Sequence, residues 1–341
     1  MIRFDSDYLE GAHPKVLKKI VDSNYEQTMG YGKDKYCDSA KEKIKKALGR
    51  DDVDIHFLVG GTQTNMTVIS SILKSHEAVI CADTAHVFVN ETGAIESYGN
   101  RIITIPNQEG KITSSAIEYV ILSHENSFIP EFSPKPKMVY ITIPTECGTS
   151  YTKGEIEDIY NVCKKYDMYL YIDGARMAYG VNVKDSDITF TDIPNMCDAF
   201  YIGGTKCGAL FGEAVVLVNE ELKKDFRYHI KQHGALLAKG RLLGMQFDTL
   251  FTKDLYFRLG KQANEFALKI KNAAVEKGYP LLYNSFTNQQ FIIFPNDKLE
   301  ELEKKFTFWH WEKLSKDHTA VRICTSWATT EENVEKLINS L

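Results

Sequence analysis

Seven short apolar runs rich in β-branched and aromatic residues recur along the first two thirds of the chain, separated by stretches with amphipathic helical spacing. The runs are IHFLV (55–59), AVICA (78–82), RIITI (101–105), MVYITI (138–143), MYLYI (168–172), AFYI (199–202) and EAVVLV (213–218). Continuous apolar runs are typical of strands covered on both faces. The alternation predicts an α/β fold with a mostly parallel seven-stranded sheet between helices, whose ligands bind at the carboxyl ends of the strands.

The remaining segments predict the helices and a second domain. In GEIEDIYNVCKKY (154–166) the apolar residues share one helical face, and Thr152 with Glu155 forms a capping box before it. From about residue 220 the pattern is helical as far as about 277. The tail then carries QFIIFP (290–295), AVRICTSW (320–327) and a closing helix, which together indicate a small α+β unit. We therefore expect a large domain over 1–250 and a small C-terminal domain over 251–341.

Composition narrows the classes of protein that the chain can belong to. Of 341 residues, 43% are hydrophobic and 26% charged, with a formal net charge of −5, which is typical of a soluble globular protein and makes nucleic acid an unlikely partner. We expect no membrane association, because the chain start lacks an apolar signal core and no window approaches the roughly 18 apolar residues of a membrane span. Seven scattered cysteines favour reduced thiols, and so a cytoplasmic protein. HIKQH (229–233) lacks the further ligands of a metal site, so no metal is predicted.

Polar residues follow four of the apolar runs, at the point where each predicted strand ends. They are GGTQTN (60–65), TAHVFVNETG (84–93), DGARMAYG (173–180) and Thr205–Lys206. Because the carboxyl ends of parallel strands meet at one edge of a sheet, we expect all four groups to converge. The Gly-Gly-Thr turn before a helix offers free backbone N–H groups and the positive end of the helix dipole, which suits a phosphate, although such turns often serve backbone geometry alone.

Lys206 is the most unusual of these residues, because a cation at the end of an apolar strand needs a partner or a function. Asp173 follows an equally apolar run, and Arg176 is either its structural partner or a functional residue. Together with His86 as a ring that can stack, these groups meet the needs of pyridoxal phosphate. That cofactor requires a phosphate anchor, a partner for its pyridine nitrogen, a cover for its ring and an amine that binds its aldehyde.

With these motifs in this order, the chain resembles the threonine aldolase and β-eliminating lyase family of fold type I pyridoxal-phosphate enzymes over nearly its whole length. The family's G-T-Q-x-N is present at 61–65, A-H-x-x-x-x-E-x-G at 85–93 and D-G-A-R at 173–176. In that family the histidine stacks on the ring, the aspartate faces the pyridine nitrogen and the arginine reaches the substrate carboxylate. The resemblance implies a cofactor-binding set of Gly61, Thr62, Gln63, His86, Asp173, Arg176, Thr205 and Lys206.

The resemblance also implies a substrate-binding set of Ser6, Tyr31, Arg176 and Arg322. Arg322 matches a small-domain arginine that grips the substrate α-carboxylate, a task suited to a bidentate guanidinium, although an arginine in a buried strand can instead extend its charge to the domain edge. Tyr31 begins YGKD (31–34), which is similar to the family's active-site loop.

Lys239 and Arg241 fall where the family directs basic side chains towards a neighbouring subunit's site. Solvated helix charges are an equal alternative for these two residues. The resemblance implies a homo-oligomer, either a dimer or a tetramer, with shared active sites.

Two segments depart from the family pattern. Where many aldolases of the family read N-T-H-N-G, this chain reads PTECG (144–148), which places Glu146 near the substrate hydroxyl. Thr205-Lys206-Cys207 replaces a Ser-Lys-Gly start. The catalytic set is therefore predicted as Lys206, His86, Asp173 and Glu146, with Glu146, His86 or a held water as the base.

The function that this resemblance implies is a pyridoxal-phosphate-dependent aldolase, a carbon–carbon lyase that cleaves L-threonine or L-allo-threonine to glycine and an aldehyde. A β-eliminating lyase or aminotransferase with the same cofactor, acting on another small or aromatic amino acid, is the alternative. A protein that binds a phosphate ligand without covalent chemistry is a third possibility.

Overall fold

Each of the seven apolar runs forms a strand of one sheet in the computed structural model, which describes residues 1–341. The strands of the protein are β1 (Ile2–Arg3), β2 (Asp54–Leu58), β3 (Glu77–Ala82), β4 (Arg101–Ile105), β5 (Lys135–Thr142), β6 (Tyr169–Asp173), β7 (Ala199–Gly203), β8 (Glu213–Leu217), β9 (Leu281–Tyr283), β10 (Gln289–Pro295), β11 (Phe306–Thr307), β12 (Trp309–Lys313) and β13 (His318–Cys324). The helices are α1 (Pro14–Asp22), α2 (Lys35–Leu48), α3 (Gly61–Ile72), α4 (His86–Val89), α5 (Ser114–Glu125), α6 (Lys153–Lys165), α7 (Met177–Gly180), α8 (Glu220–Lys223), α9 (Phe226–Gln232), α10 (Arg241–Leu250), α11 (Leu255–Glu276), α12 (Asn296–Leu302) and α13 (Glu331–Ser340).

The large sheet has the strand order β2-β8-β7-β6-β5-β3-β4, and β8 alone runs antiparallel to its two neighbours. The prediction of a mostly parallel seven-stranded sheet is thereby confirmed. Strands β3, β7 and β8 are buried along their whole length, whereas the edge strands β2 and β4 are partly exposed. Because β8 is antiparallel, it begins at the rim where the parallel strands end, and its first residue lies with their last ones.

Local sequence accounts for where several helices begin and end. Thr152 and Glu155 form the predicted capping box at the start of α6. Asp34 caps α2 by accepting two backbone N–H bonds, and Gly49 ends that helix with a φ of 67°. The predicted helical stretch from 220 to 277 is divided into α8, α9, α10 and α11. None of the helices has both the length and the hydropathy needed to cross a bilayer.

A smaller antiparallel sheet of order β12-β13-β10-β9 follows, with its own core of 14 buried residues. The expected division after residue 250 falls between α10 and α11. Helix α11 then contributes to both cores, with Ala263 in the large one and Ile270 in the small one. The chain start also joins the small domain, because β1 pairs with β11 and Phe4 packs in the second core.

Candidate active site

The carboxyl ends of the parallel strands enclose a cavity of about 1070 Å³, including the part open to solvent. The four polar groups that follow the strands all reach it. Its lining includes Gly60, Gly61, Thr62, His86, Glu146, Asp173, Arg176, Thr205, Lys206 and Glu213. The structure therefore brings together all four predicted catalytic residues, although they lie far apart in sequence.

Helix α3 begins at this cavity with no side chain capping it. Gly60 is the N-cap residue and Gly61 the first helical residue, so backbone N–H groups at the positive end of the helix remain available to a phosphate. A side chain on Gly61 would lie 3.2 Å from the Tyr201 hydroxyl, which makes the turn narrow. Gln63, which was predicted to bind the cofactor, does not line the cavity. Its amide donates to the His233 carbonyl (3.2 Å), and its oxygen accepts from the Val59 N–H (3.3 Å).

Asp173 ends β6 as a buried carboxylate that is held by three donors. Its Oδ2 accepts from the Tyr140 hydroxyl (2.6 Å) and from the Asn65 amide (3.1 Å), and its Oδ1 accepts from the Ala175 N–H (2.9 Å). Buried Asp173 is therefore stabilised by neutral hydrogen-bond donors. The alternative in which Arg176 is its structural partner is wrong. A carboxylate held in place by three donors at the cavity suits the nitrogen of a pyridinium ring.

The same Asn65 amide also donates to Glu91 Oε1 (2.8 Å), which accepts a hydrogen bond from Nδ1 of His86 (2.9 Å). His86 is about one third exposed and faces the cavity, while Glu91 behind it is buried. The motif A-H-x-x-x-x-E-x-G thus places a carboxylate that orients the imidazole. Asn65 connects the residue predicted to cover the ring with the residue predicted to face its nitrogen.

Lys206 lies in the turn after β7, and its backbone carbonyl accepts from the Tyr179 hydroxyl (2.6 Å). Its amine makes no ion pair and lies 6.0 Å from the ring centre of Tyr8. Burial lowers the pKa of Lys206, and the charge of Arg176 lowers it further, although nearby carboxylates oppose both effects. A lysine with a lowered pKa and no partner has the properties of a nucleophilic amine.

Arg176 is held by a residue that the sequence analysis missed. Asp7 accepts from its Nε (2.6 Å) and its Nη2 (3.0 Å), and both side chains are largely buried. Burial by itself would raise the pKa of Asp7, but the charges of Arg176 and Lys206 and the bond from Asn288 keep it at about 2. No local pattern relates Asp7 to a residue 169 positions later, so its role emerges only from the fold.

Three residues predicted to bind substrate do not line the cavity of their own chain. Arg322 donates from Nη2 to the Asp5 carbonyl (3.2 Å), and its guanidinium lies 5.6 Å from the Trp309 ring and 5.8 Å from the Trp311 ring. Its Nε, like the buried Ser6 hydroxyl, has no hydrogen-bond partner. The third residue is Tyr31, which lies on the surface among Arg227, Lys231 and Leu236.

Two glutamates complete the cavity. Glu146 accepts from the His86 backbone N–H (2.9 Å) and from the Thr142 hydroxyl (3.0 Å), and burial raises its pKa above the usual value for a glutamate. Glu213, at the start of β8, was not predicted as a site residue. Its only signal in the sequence was an acid opening an apolar run.

The residues present fit pyridoxal phosphate. An uncapped helix start, a hydrogen-bonded aspartate, an oriented histidine and an unpaired lysine meet at one rim of a doubly covered sheet. This arrangement defines the class of fold type I pyridoxal-phosphate enzymes.

Comparison with known proteins narrows the class. The sequence model of the β-eliminating lyase family matches residues 4–294. A low-specificity L-threonine aldolase from a Pseudomonas species is 30% identical over 98% of this chain and 95% of its own, and one from Pseudomonas aeruginosa is 28% identical over 99% and 96%. The structure of a threonine aldolase from Leishmania major is similar, with a TM-score of 0.96 and 42% identity over 99% of this chain and 98% of that one. The chain belongs to the β-eliminating lyase family, and it is a pyridoxal-phosphate-dependent enzyme.

Proposed function

We propose that this protein is an aldolase that cleaves L-threonine or L-allo-threonine between Cα and Cβ, releasing glycine and acetaldehyde. The observation that supports this proposal is the cavity at the carboxyl edge of the sheet, which Lys206, Asp173 and His86 line together. Relatives that match nearly the whole chain bear the name of low-specificity L-threonine aldolase.

Each residue then has a task. Pyridoxal phosphate, when bound, supplies an electron sink for the pair left at Cα. Lys206 would hold the cofactor through its amine, and Asp173 would face the pyridine nitrogen and hold its proton. Arg176, fixed by Asp7, and Arg322 bind the substrate carboxylate, and this orientation selects which bond at Cα is broken.

Cleavage also requires a base for the β-hydroxyl proton, and we assign that task to Glu146. It lines the cavity beside His86, and its raised pKa makes it a better proton acceptor than an ordinary carboxylate. His86 contacts Glu146 through its backbone N–H, so the imidazole stays free to cover the ring.

The test is an absorbance spectrum of the purified protein, followed by incubation with L-allo-threonine, L-threonine and L-serine. We expect a yellow protein that releases glycine and acetaldehyde. Pyruvate from serine without acetaldehyde would place the protein with the eliminating lyases. A colourless protein that pyridoxal phosphate does not reconstitute would contradict the assignment and favour a binding protein.

We further propose a homo-oligomer in which Tyr31 completes a neighbouring subunit's site. Tyr31 is 45% exposed, and Tyr25, Met29 and Tyr228 around the same segment are exposed by 96, 69 and 74%, an apolar surface that is typical of an interface. Mixing the Tyr31→Ala and Lys206→Ala variants should then restore activity that neither has alone, because a mixed dimer contains one intact site. Failure to complement would contradict a site shared between subunits.

We also propose a cytoplasmic location, which the seven buried, free cysteines support.

A further inference from the structure

Glu213 lies between the two turns that face the phosphate end of the cavity. In the sheet register it pairs with Leu58 of β2, two residues before the N-cap glycine of α3, and with Gly203 of β7, three residues before Lys206. The side chain is 4% exposed and lines the cavity. An acid at this position is unexpected, because a phosphate and a carboxylate repel each other.

The hydrogen bonds of Thr205 show why this acid matters. Glu213 Oε2 accepts from the Gly204 N–H (2.9 Å), and its Oε1 accepts from the Thr205 hydroxyl (2.7 Å). The same hydroxyl oxygen accepts from the Gly212 N–H (3.0 Å). A hydroxyl has one proton, and Thr205 gives it to Glu213. In this arrangement Thr205 has no proton left for a phosphate, although it was predicted to bind the cofactor.

A protonated Glu213 would reverse that bond. Its O–H would donate to the free lone pair of Thr205, its other oxygen would still accept from Gly204, and the Thr205 proton would be released to the cavity. Protonation also removes the charge that repels a phosphate. Release of the Thr205 proton and loss of the Glu213 charge both favour binding of a phosphate.

The surroundings of Glu213 allow this protonation near neutral pH. Burial raises its pKa to about 7, against the opposing bonds from Thr205 and Gly204 and the charge of Lys206. Asp173 adds a like charge. The remaining titratable neighbours, Tyr171, Tyr201, Cys207 and Tyr256, all have pKa values raised by burial and stay neutral.

We propose that Glu213 is a positioning residue that takes up a proton from solvent when the cofactor phosphate binds, and thereby turns the Thr205 hydroxyl proton towards that phosphate. Cofactor affinity is then coupled to proton uptake through the Glu213–Thr205 pair. This inference rests on pyridoxal phosphate as the cofactor and does not depend on which amino acid is cleaved.

The test compares wild type with Glu213→Gln, because a glutamine amide imitates the protonated acid by donating to Thr205 and accepting from Gly204. Pyridoxal phosphate is titrated into cofactor-free protein between pH 6.5 and pH 8.5, a range that spans the Glu213 pKa of about 7. The ratio of dissociation constants, wild type over variant, is expected to rise by up to about tenfold per pH unit above pH 7. Calorimetry in buffers of different ionisation enthalpy should show about one more proton taken up by wild type at the alkaline end.

Glu77→Gln provides the matched control. Glu77 is likewise a buried strand glutamate that accepts a backbone N–H, from Lys74 at 2.8 Å, but it lies away from the cavity. This control should bind the cofactor and take up protons as wild type does. Equal uptake in wild type and Glu213→Gln would overturn the proposal while leaving the cofactor assignment intact. Failure of all three proteins to bind pyridoxal phosphate would overturn both.

An infrared difference spectrum of wild type keeps the inference testable if the variant does not fold. At alkaline pH, binding of pyridoxal phosphate should add the carbonyl stretch of one protonated carboxyl group, whereas pyridoxal without its phosphate should not. Absence of that band, or its appearance with pyridoxal, would contradict the proposed switch.

Discussion

The two walls of the active site are built differently. The cofactor wall, formed by His86, Asp173 and Lys206 at the ends of the large sheet, is organised by hydrogen bonds inside one domain. The proposed substrate wall, Ser6 and Arg322 on the small-domain side, lies outside the lining of the cavity and keeps a buried hydroxyl and a guanidinium N–H without partners. Unpaired buried donors are costly unless a ligand satisfies them. We therefore propose a preformed cofactor site and a substrate site that becomes complete on binding.

Lys206→Ala should have the largest effect. We expect a loss of at least about 10⁴-fold in kcat, because the amine that attaches the cofactor covalently disappears. The visible absorbance band of the attached cofactor should be lost. A normal circular dichroism spectrum would check that the fold is retained. Full activity in this variant would contradict the cofactor wall as described.

Glu146→Gln should reduce kcat by about 10³-fold. Burial raises the pKa of Glu146, and a base must be deprotonated, so kcat/KM in wild type should fall as the pH decreases through that raised pKa. The variant should lack this acid limb. An unchanged acid limb in the pH profile of the variant would mean that another group accepts the β-hydroxyl proton.

Asp173→Asn should reduce kcat by about 10²-fold, since one charge that stabilises the electron sink is removed. Asparagine preserves the size of the side chain and an acceptor for Tyr140, so the protein should still fold. The measurement is single-turnover kinetics alongside cofactor affinity. An unchanged rate would mean that the pyridine nitrogen has a different partner.

Arg322→Ala should have the smallest effect, a rise of about thirtyfold in KM from loss of a charged hydrogen bond worth about 2 kcal/mol. Cofactor affinity should not change, because Arg322 does not line the cofactor cavity. Arg322→Lys should recover only part of the loss, since a bidentate contact is not restored. Equal effects on cofactor and substrate binding would remove the distinction between the two walls.

Local pattern accounted for the part of the molecule in which partners are close in sequence or strands are buried. The apolar runs predicted all seven strands, and the ends of those strands predicted where His86, Asp173 and Lys206 converge. The Asp173–Arg176 pair, which the sequence left open as an alternative, does not form, and the actual partner Asp7 lies in a segment with no local signal. Glu213 was read only as the start of a strand.

The sequence alone determined the sheet, the order of the motifs and the chemistry of the cofactor wall, because hydrophobic periodicity and strand ends are properties of neighbouring residues. Tertiary structure decided which donor satisfies which acceptor. Burial makes each of those choices energetically large. The partners come from distant segments in two cases, Asp7 beside Arg176 and Asn65 between Glu91 and Asp173, and from the two sides of one turn in the third, Glu213 against Thr205.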